Sequence, residues 1–495
     1  MNRSQPTANA FSRREFLALA ATSSLGLAAW GGPSAAVPPA FAQRGFYMLP
    51  CRAPTFDYEI WRGLVDQMAA DGANRLILWL AGGFRSRKFP VTWRYNADHA
   101  NVRRDFMSRL IRHAQSRGVE CLLGLTPFGY DGVNQYPREH PELKALGPDG
   151  RPVAEFGIHS WGWNLCPARS QSQDFMLAYA RELAEEFYPE ADGLFLESSD
   201  YAICHCPDCG PRHFEHEFQF IRRVSEAMWA RKPDATIVVY PHYFSGAKLH
   251  FSFSDAAAAR QPFDPRWTLF FTPHSAAIEP SLIARARGSW WWNAAPSRFD
   301  LTEIRSGAQW ARDHHCTGYL PSLECYSYVP THDEFGEPWL TGRRQVPFGF
   351  GWLPEGASPF HELPVRAASL ACRVYSANPD LPAEQFRAVL GRELFGRHWR
   401  EQEVEDTLEL CRVFGTDRDW TVPAPLTTPG LVAARRQAGR LDAVKRQFLR
   451  EQLDRVSAIA ARHRRAASPG AQALARISRW ICEQWPEARR QVLEA

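Results

Sequence analysis

The feature that most constrains the fold is an alternation, after residue 44, of short apolar stretches with longer amphipathic ones. The apolar stretches predict strands and the amphipathic ones predict helices. The candidate strands cover residues 46–49, 75–80, 120–126, 194–196, 236–240, 268–272, 289–293 and 318–323. Such an order predicts parallel strands closed into a (β/α)8 TIM barrel. An open doubly wound sheet is the alternative, but no glycine-rich phosphate-binding turn follows the first strand.

The helical stretches complete this domain organisation. Between the strands they cover residues 58–70, 102–117, 173–187 and 213–231, and two more follow at 360–375 and 383–395. The remaining chain is rich in Arg, Ala, Leu and Gln at helical spacing. We therefore predict a catalytic barrel over residues 43–400 and a C-terminal helical module over residues 401–495.

The first residues have the features of an export signal. Ser-Arg-Arg-Glu-Phe-Leu stands at residues 12–17, a mildly apolar run follows, and Ala40-Phe41-Ala42 offers a cleavage site of small residues. This pattern predicts a twin-arginine signal peptide over residues 1–42, and hence a periplasmic or secreted protein. The apolar run is too short to span a bilayer permanently, and no later stretch is predicted to cross one.

Charge and aromatic content narrow the class of partner. The formal net charge is only +4, which gives no electrostatic footprint for nucleic acid or an anionic membrane. The 18 tryptophans suit a surface that stacks on sugar rings. We therefore expect an oligosaccharide or glycoside as partner, no nucleic acid, and no membrane after signal removal. The sequence leaves a homo-oligomer open.

Two glutamates fall at predicted strand ends, where TIM barrels carry their catalytic groups. Glycosidic bonds are commonly cleaved by two carboxyl groups, of which one donates a proton and the other attacks the sugar or activates water. Glu197 is the predicted general acid and Glu324 the predicted nucleophile or base. Asp200 competes for either role. The sequence thus predicts a glycosidase.

Aromatic and polar residues concentrate at the other strand ends and in the long segment between the third strand and its helix. Long connections of this kind are usually functional. The predicted substrate-binding residues are Trp79, Trp161, Trp163, His242, Tyr243, His274, Trp291, Trp292, Asn293 and Tyr326.

A cysteine cluster follows Glu197 closely. Cys204, Cys206 and Cys209 form a C-x-C-x-x-C pattern that suits a tetrahedral Zn²⁺, and Cys166 is the candidate fourth ligand. A site of four thiolates is closed, so this zinc is expected to be structural. His205 or His213 in place of Cys166, or a disulfide in an oxidising compartment, are the alternatives.

These motifs together resemble glycoside hydrolase family 42, the bacterial β-galactosidases. The resemblance is carried by His-Pro-Glu-Leu at residues 140–143, Cys-Pro-Ala-Arg-Ser at 166–170, the strand-end Glu197 and Cys-His-Cys-Pro-Asp-Cys at 204–209. It implies the four cysteines as zinc ligands and Glu197 as acid/base. It also implies a nucleophile after the seventh strand, whereas Glu324 follows the eighth predicted strand. Residues 378–396 resemble α-glucuronidase-like and hexosaminidase-like families.

Two other functions are compatible with the sequence. A non-catalytic carbohydrate-binding barrel would keep the tryptophan-rich cleft without the chemistry. A zinc-dependent hydrolase would use the metal in catalysis, with His242 and His274 near it.

Overall fold

A computed structural model describes residues 38–48, 56–94, 99–130, 132–156, 161–198, 203–244, 261–273, 280–323, 358–414 and 443–492. The elements below belong to the compact unit Ala40–Ala495. The predicted residues Glu324, Asp200, His274 and Tyr326 lie outside the described residues. In the part of the chain that is described, no helix is long and apolar enough to cross a membrane.

Eight parallel strands close into a barrel, as predicted. They are β1 (Gln43–Met48), β2 (Arg75–Trp79), β3 (Glu120–Leu125), β6 (Gly193–Leu196), β7 (Thr236–Val239), β8 (Trp267–Phe271), β9 (Gly288–Trp291) and β10 (Gly318–Tyr319). Each pairs with the next around the ring, and β10 pairs with β1. Every predicted strand is present, with ends shifted by a few residues.

Glycines in the barrel wall make room for large side chains. A Cβ on Gly124 would lie 3.2 Å from the Cα and Cβ atoms of Trp79 on the neighbouring strand. A Cβ on Gly318 would lie 2.5 Å from the indole of Trp290. Small residues opposite large ones are what dense packing of a barrel interior requires.

Helices cover the outside of the barrel. They are α1 (Tyr58–Ala70), α2 (Val91–Arg94), α3 (Ala100–Arg103), α4 (Met107–Ser116), α5 (Ser170–Arg181, continued by a π-helical turn at Glu182–Phe187), α6 (His213–Arg231), α7 (Pro280–Arg285) and α8 (Leu301–Asp313). Aspartates cap two of them: Asp57 accepts the N–H groups of Glu59 and Ile60, and Asp300 caps α8 in the same way.

One predicted helix is divided. The sequence predicts a helix over residues 102–117, but the structure has α3 and α4 separated by an extended Arg104. The cause is Asn101, whose side-chain oxygen accepts the N–H groups of Phe106 and Met107 at 2.9 and 3.1 Å. A polar side chain that satisfies these donors competes with continuous helix.

The long connection after β3 contains more regular structure than predicted. Two 3₁₀ turns occur at Val133–Arg138 and Pro141–Leu143. An antiparallel pair follows, formed by β4 (Ala154–Phe156) and β5 (Trp161–Trp163).

Helices follow the barrel to the end of the described chain: α9 (Val365–Ala377), α10 (Ala383–Phe395), α11 (Glu401–Phe414), α12 (Ala443–Arg462) and α13 (Pro469–Val492). α9 packs on α8, and its Arg366 and Arg373 contact the half-buried Asp71 at 2.6 and 3.1 Å. α10 contacts α11 and α13, and α12 and α13 pack together. The domain boundary at residue 400 stays a prediction.

Candidate active site

At the carboxyl ends of the barrel strands, alternate side chains point into the barrel and away from it. We call these two sets of side chains the inward row and the outward row. The ring of Tyr47 on β1 lies 5.3 Å from Phe195 on β6 and 6.0 Å from Phe270 on β8, measured between centroids. Because β1 pairs with neither of these strands, the three rings meet across the barrel interior. Side chains two residues further along a strand return to the same face. This period identifies the residues that point into the barrel mouth.

Glu197 belongs to the inward row. It stands two residues after Phe195, and its N–H donates to the carbonyl of Leu125 at 3.0 Å, so pairing with β3 continues to it. The hydroxyl of Tyr47 donates to Oε2 at 2.9 Å, and that of Tyr240 to Oε1 at 3.4 Å. The side chain is 7% exposed. Both carboxyl oxygens are therefore held in place at the carboxyl end of the barrel.

The sequence interpretation missed Tyr47 and Tyr240. A usable signal existed for Tyr240, because it stands two residues after Val238, which pairs with the inward Phe195. Applying the period of two along neighbouring strands would have selected it.

His242 and Tyr243, predicted to bind substrate, lie behind Glu197 instead. Ser198, the next residue after Glu197, donates to Oε1 and Oε2 of Glu217 on α6 at 3.1 and 3.2 Å. The Tyr243 hydroxyl donates to the oxygen of Ser198 at 3.2 Å, and Nε2 of His242 lies 3.4 Å from that oxygen. All four side chains are buried. They form a network between the barrel wall and α6, which we call the Ser198 network.

Burial determines the charges in this network. It lowers the pKa of His242 to about 3, so the imidazole is neutral near pH 7. Burial, and after it the charge of Glu217, raises the pKa of Tyr243. With Nε2 protonated, His242 donates to Ser198, whose oxygen then accepts from two donors and donates to Glu217.

Trp79 and Trp292 are the predicted substrate-binding aromatics that face inward. Trp79 follows Ile77 by two residues, and Ile77 pairs with Tyr47. Its indole is 1% exposed and lies edge-on to Tyr130 at 4.7 Å. The Trp292 ring lies 6.1 Å from Tyr47.

Trp291 and Asn293 face the opposite way. The Trp291 indole stacks on Trp310 of α8 at 3.7 Å. The amide of Asn293 lies against Gly307 of the same helix, where an added Cβ would come within 2.2 Å of it. Neither side chain lies at the barrel mouth, so the predicted binding role is corrected to helix packing. The error arose because all three residues of Trp-Trp-Asn were assigned to one face of a strand whose side chains alternate.

Trp161 and Trp163 belong to β5 in the long connection after β3. Trp163 lies beneath the ammonium of Lys144 at 3.8 Å and near the guanidinium of Arg138 at 5.3 Å. Desolvation, followed by repulsion from Arg138, lowers the pKa of Lys144. The side chain of Trp161 lies outside the described residues.

The four predicted cysteines come together. The sulfur atoms of Cys166, Cys204, Cys206 and Cys209 all lie within 4.8 Å of one another, and all four residues are buried. Cys166 lies 3.5 Å from both Cys206 and Cys209. A disulfide requires about 2.0 Å, and tetrahedral Zn–S bonds of about 2.3 Å place sulfurs about 3.8 Å apart. The cluster can hold a metal ion.

The surroundings of the cluster favour a thiolate at Cys204, whereas hydrogen bonds within the cluster raise the pKa of Cys166 and Cys209. The backbone N–H of Leu146 donates to Sγ of Cys204 at 3.4 Å. Hydrogen bonds from Cys166 and Cys209, with this backbone donor, lower the pKa of Cys204. The ligand atoms that lie together in the described chain are the four cysteine sulfurs. Of the alternative ligands, His213 accepts the N–H of Cys204 through Nδ1 at 3.1 Å, and His205 is exposed.

Comparisons with known proteins find similar solved structures but no similar sequence or family. No protein-family model matches the chain, and no curated protein matches it by sequence. The solved structures to which it is similar include a GH138 enzyme targeting the pectin rhamnogalacturonan II, at 11% identity and a TM-score of 0.47 over 90% of this chain and 56% of that one. They also include a mutant O-GlcNAc hydrolase of Thermobaculum terrenum, at 12% identity and a TM-score of 0.45 over 92% and 88% of the two chains.

A third is the chitobiase of Flavobacterium johnsoniae, at 11% identity and a TM-score of 0.43 over 91% and 72%. These neighbours are glycoside hydrolases, but TM-scores below 0.5 at such identities assign no activity to this chain. The chain spans 56% of the length of the GH138 enzyme. The resemblance to family 42 is not shown by these comparisons and stays a prediction.

Proposed function

We propose that this protein is an exported glycoside hydrolase in which Glu197 is one of two catalytic carboxyl groups. The observation that carries the proposal is the inward Glu197 at the carboxyl end of the fourth barrel strand, with both oxygens held by Tyr47 and Tyr240. Catalytic groups of TIM barrels come from this end. Glycosidic cleavage needs a carboxyl group of this kind, placed in a largely enclosed site that aromatic side chains line.

In this proposal Glu197 acts as general acid. Its proton passes to the glycosidic oxygen as the bond to the anomeric carbon breaks, and the carboxylate left behind accepts both tyrosine hydroxyls. The second carboxyl group is Glu324, assigned from sequence. Glu324 would attack the anomeric carbon or activate water.

Leaving-group dependence tests the two roles. Glu197→Gln should lower kcat/KM, which reports the step that breaks the glycosidic bond, about 10²- to 10⁴-fold on methyl glycosides, whose leaving group needs a proton. It should spare dinitrophenyl glycosides, whose leaving group departs unprotonated. Glu324→Gln should lower kcat on both classes, because the second carboxyl group acts on the sugar itself.

The control is Glu226→Gln on the exposed face of α6, which should leave both rates unchanged. Equal losses on the two substrate classes would remove Glu197 from the acid role. A wild-type protein that binds sugars but hydrolyses none of the panel would replace the enzyme by a carbohydrate-binding barrel.

We also propose that the cysteine cluster holds a structural zinc ion. The donor set supports this, since four buried thiolates at tetrahedral spacing leave no open position for a substrate. The zinc would fix the segment after Glu197 to the segment that carries Cys166. A catalytic role for this metal is not supported, because Nε2 of His242 faces Ser198.

Metal analysis tests the assignment. Purified protein should contain zinc in a one-to-one ratio, and Cys206→Ser should remove it and lower the unfolding midpoint. Cys316→Ser alters a buried barrel cysteine outside the cluster and is the matched control. Equal zinc content in the two variants would refute the ligand set.

Export through the twin-arginine pathway is the third part of the proposal, supported by the sequence of residues 12–17 and 40–42. Replacing both Arg13 and Arg14 by Lys should retain the precursor in the cytoplasm, whereas Arg3→Lys should not. Terminal sequencing of the exported protein should find a start near residue 43. Export of the Arg13 and Arg14 double variant at the normal rate would exclude this pathway.

A further inference from the structure

We propose that the hydroxyl of Thr126 binds a hydroxyl group of the substrate sugar, beside the bond that Glu197 cleaves, and so determines which sugars are accepted. The inference deepens the proposed hydrolase function and depends on it. Two observations carry it: the position of Thr126 next to Glu197, and the lack of a protein partner for its oxygen.

The position follows from strand register. Leu125 pairs with Leu196, and the N–H of Glu197 donates to the carbonyl of Leu125 at 3.0 Å. Thr126 and Glu197 are therefore neighbours on adjacent strands, whose separation is about 4.8 Å. Paired residues face the same side of a sheet, so Thr126 points inward with Glu197. Thr126 also stands two residues after Gly124, and Gly124 pairs with the inward Trp79.

The hydroxyl of Thr126 is buried without a partner. The residue is 0% exposed, and its Oγ1 makes no hydrogen bond to any part of the chain that the structure describes. The indole N–H of Trp79, one inward position lower on β2, is likewise buried and without a partner there. An unsatisfied buried polar group costs about 1–3 kcal/mol. Such a cost needs an explanation, and a ligand supplies one.

Threonines outside the barrel wall show the contrast. The hydroxyl of Thr92 donates to the carbonyl of Phe89 at 2.7 Å, and that of Thr407 to the carbonyl of Glu403 at 2.8 Å. Both are buried as completely as Thr126. Thr126 is set apart by its open hydrogen-bonding capacity at the barrel mouth.

The chemistry of the two groups defines the ligand. The Trp79 indole can only donate, whereas the Thr126 hydroxyl both donates and accepts. A sugar hydroxyl matches this pair, because it accepts from the indole and exchanges a hydrogen bond with threonine. A site built around such a bond rejects analogues that lack the hydroxyl, since its own polar groups are then left unpaired. We expect the protein to discriminate against one deoxy sugar.

The test compares Thr126→Val with Thr126→Ser. Valine keeps the shape and removes an unpartnered hydroxyl, so the unfolding midpoint should stay level or rise while kcat/KM falls about tenfold or more. Serine should retain most of kcat/KM. Thr407→Val is the matched control: it removes a partnered hydroxyl far from the barrel mouth, so the midpoint should fall while kcat/KM stays constant.

Deoxy substrates identify the contact. Aryl glycosides that the wild type hydrolyses are compared with their singly deoxygenated forms, and the loss from Thr126→Val should vanish for one deoxy form. If Thr126→Val keeps full kcat/KM on every substrate, this inference fails while the hydrolase function stands. A lower midpoint in Thr126→Val would also overturn it, by revealing a structural partner.

Direct binding separates this failure from failure of the proposed function. Titration of the wild type with methyl glycosides, followed by tryptophan fluorescence, measures affinity without turnover. Weaker binding in Thr126→Val supports the inference even for a protein that hydrolyses nothing. A wild type that neither hydrolyses aryl glycosides nor binds methyl glycosides overturns both proposals.

Discussion

Glu197 and Ser198 are consecutive residues, yet they face two different environments. The carboxyl group of Glu197 points into the barrel, where the neighbouring Thr126 hydroxyl and Trp79 indole have no hydrogen-bond partner among the residues that the structure describes. The hydroxyl of Ser198 points towards α6, where Glu217, His242 and Tyr243 surround it. On the inward side these two polar groups are buried without a partner in the described chain, whereas on the outward side the chain itself supplies the partners of Ser198.

The difference shows how to separate binding polar groups from structural ones in this barrel. A polar group that is satisfied by its own chain stabilises the fold, and mutating it should change the free energy of unfolding. A buried group with capacity to spare stabilises nothing until a ligand arrives. Substitutions in the outward row should therefore change mainly the free energy of unfolding, whereas those in the inward row should change mainly catalysis or binding. Three experiments test this difference.

Glu217→Ala should have the largest effect on stability. It removes the acceptor of Ser198 and leaves a buried cavity with unpaired hydroxyls, which should cost about 3 kcal/mol of unfolding free energy. The rate constant kcat should change far less than in Glu197→Gln, because Glu217 belongs to the Ser198 network behind Glu197. Chemical denaturation and steady-state kinetics of the two variants measure both quantities.

Glu217→Gln is the conservative control, since it keeps an oxygen acceptor and should recover much of the lost stability. The opposite pattern, with an unchanged unfolding midpoint and a loss of kcat comparable to that of Glu197→Gln, would break the comparison. Glu217 would then belong to the catalytic machinery.

The fold could be predicted from sequence because its signals are local. Apolar runs such as Leu194–Leu196 identify buried strands, and their alternation with amphipathic stretches requires parallel pairing. The division of the helix at residues 102–117 could not be predicted, since it depends on where the side chain of Asn101 points. The cysteine cluster could be predicted because three of its members are neighbours in sequence and the fourth lies just before a predicted helix.

The sequence predicts where the candidate site lies, but not which side chains at the strand ends face into it. Strand ends were identified correctly, and Glu197 lies where TIM barrels carry catalytic groups. His242, Tyr243, Trp291 and Asn293 were assigned to the mouth because they stand at those ends, but they face the helical layer. Consecutive residues at a strand end point to opposite sides of the barrel wall. Only cross-barrel contacts, such as Tyr47 with Phe195, show which residues face inward.

The pH dependence of stability sharpens the comparison from the outward side. The unfolded chain protonates His242 with an ordinary pKa of about 6.5, whereas the folded protein holds this pKa at about 3. The unfolded state thus binds more protons between these values, so this contribution is present above pH 6.5 and is lost as pH falls. It amounts to about 2 kcal/mol between pH 7 and 5. His242→Gln should remove that part of the slope.

The measurement is the free energy of unfolding from urea titrations at several pH values. His398→Gln, at an exposed position, should leave the slope unchanged. His213, whose pKa burial lowers to about 4, remains in both variants and keeps part of the slope. Identical slopes in His242→Gln and wild type would show that His242 is charged in the folded protein, contrary to a closed network.

Trp291→Phe should have the smallest effect, and it tests the direction of side chains on β9. Trp291 stacks on Trp310, which stacks in turn on His314 at 3.7 Å. Losing one such contact should cost about 1 kcal/mol of stability. Because the ring faces α8, kcat and KM should stay within about twofold of wild type.

Trp292→Phe is the matched variant, one residue along and on the inward face beside Tyr47. Its ring lies beside Tyr47 on the inward face, so KM should rise more than in Trp291→Phe. The pair is informative because both variants make the same chemical change at consecutive positions. If KM rises in Trp291→Phe and stays unchanged in Trp292→Phe, Trp291 is the inward residue of this strand and Trp292 the outward one. The inward assignment of every residue reached by the period of two would then have to be abandoned.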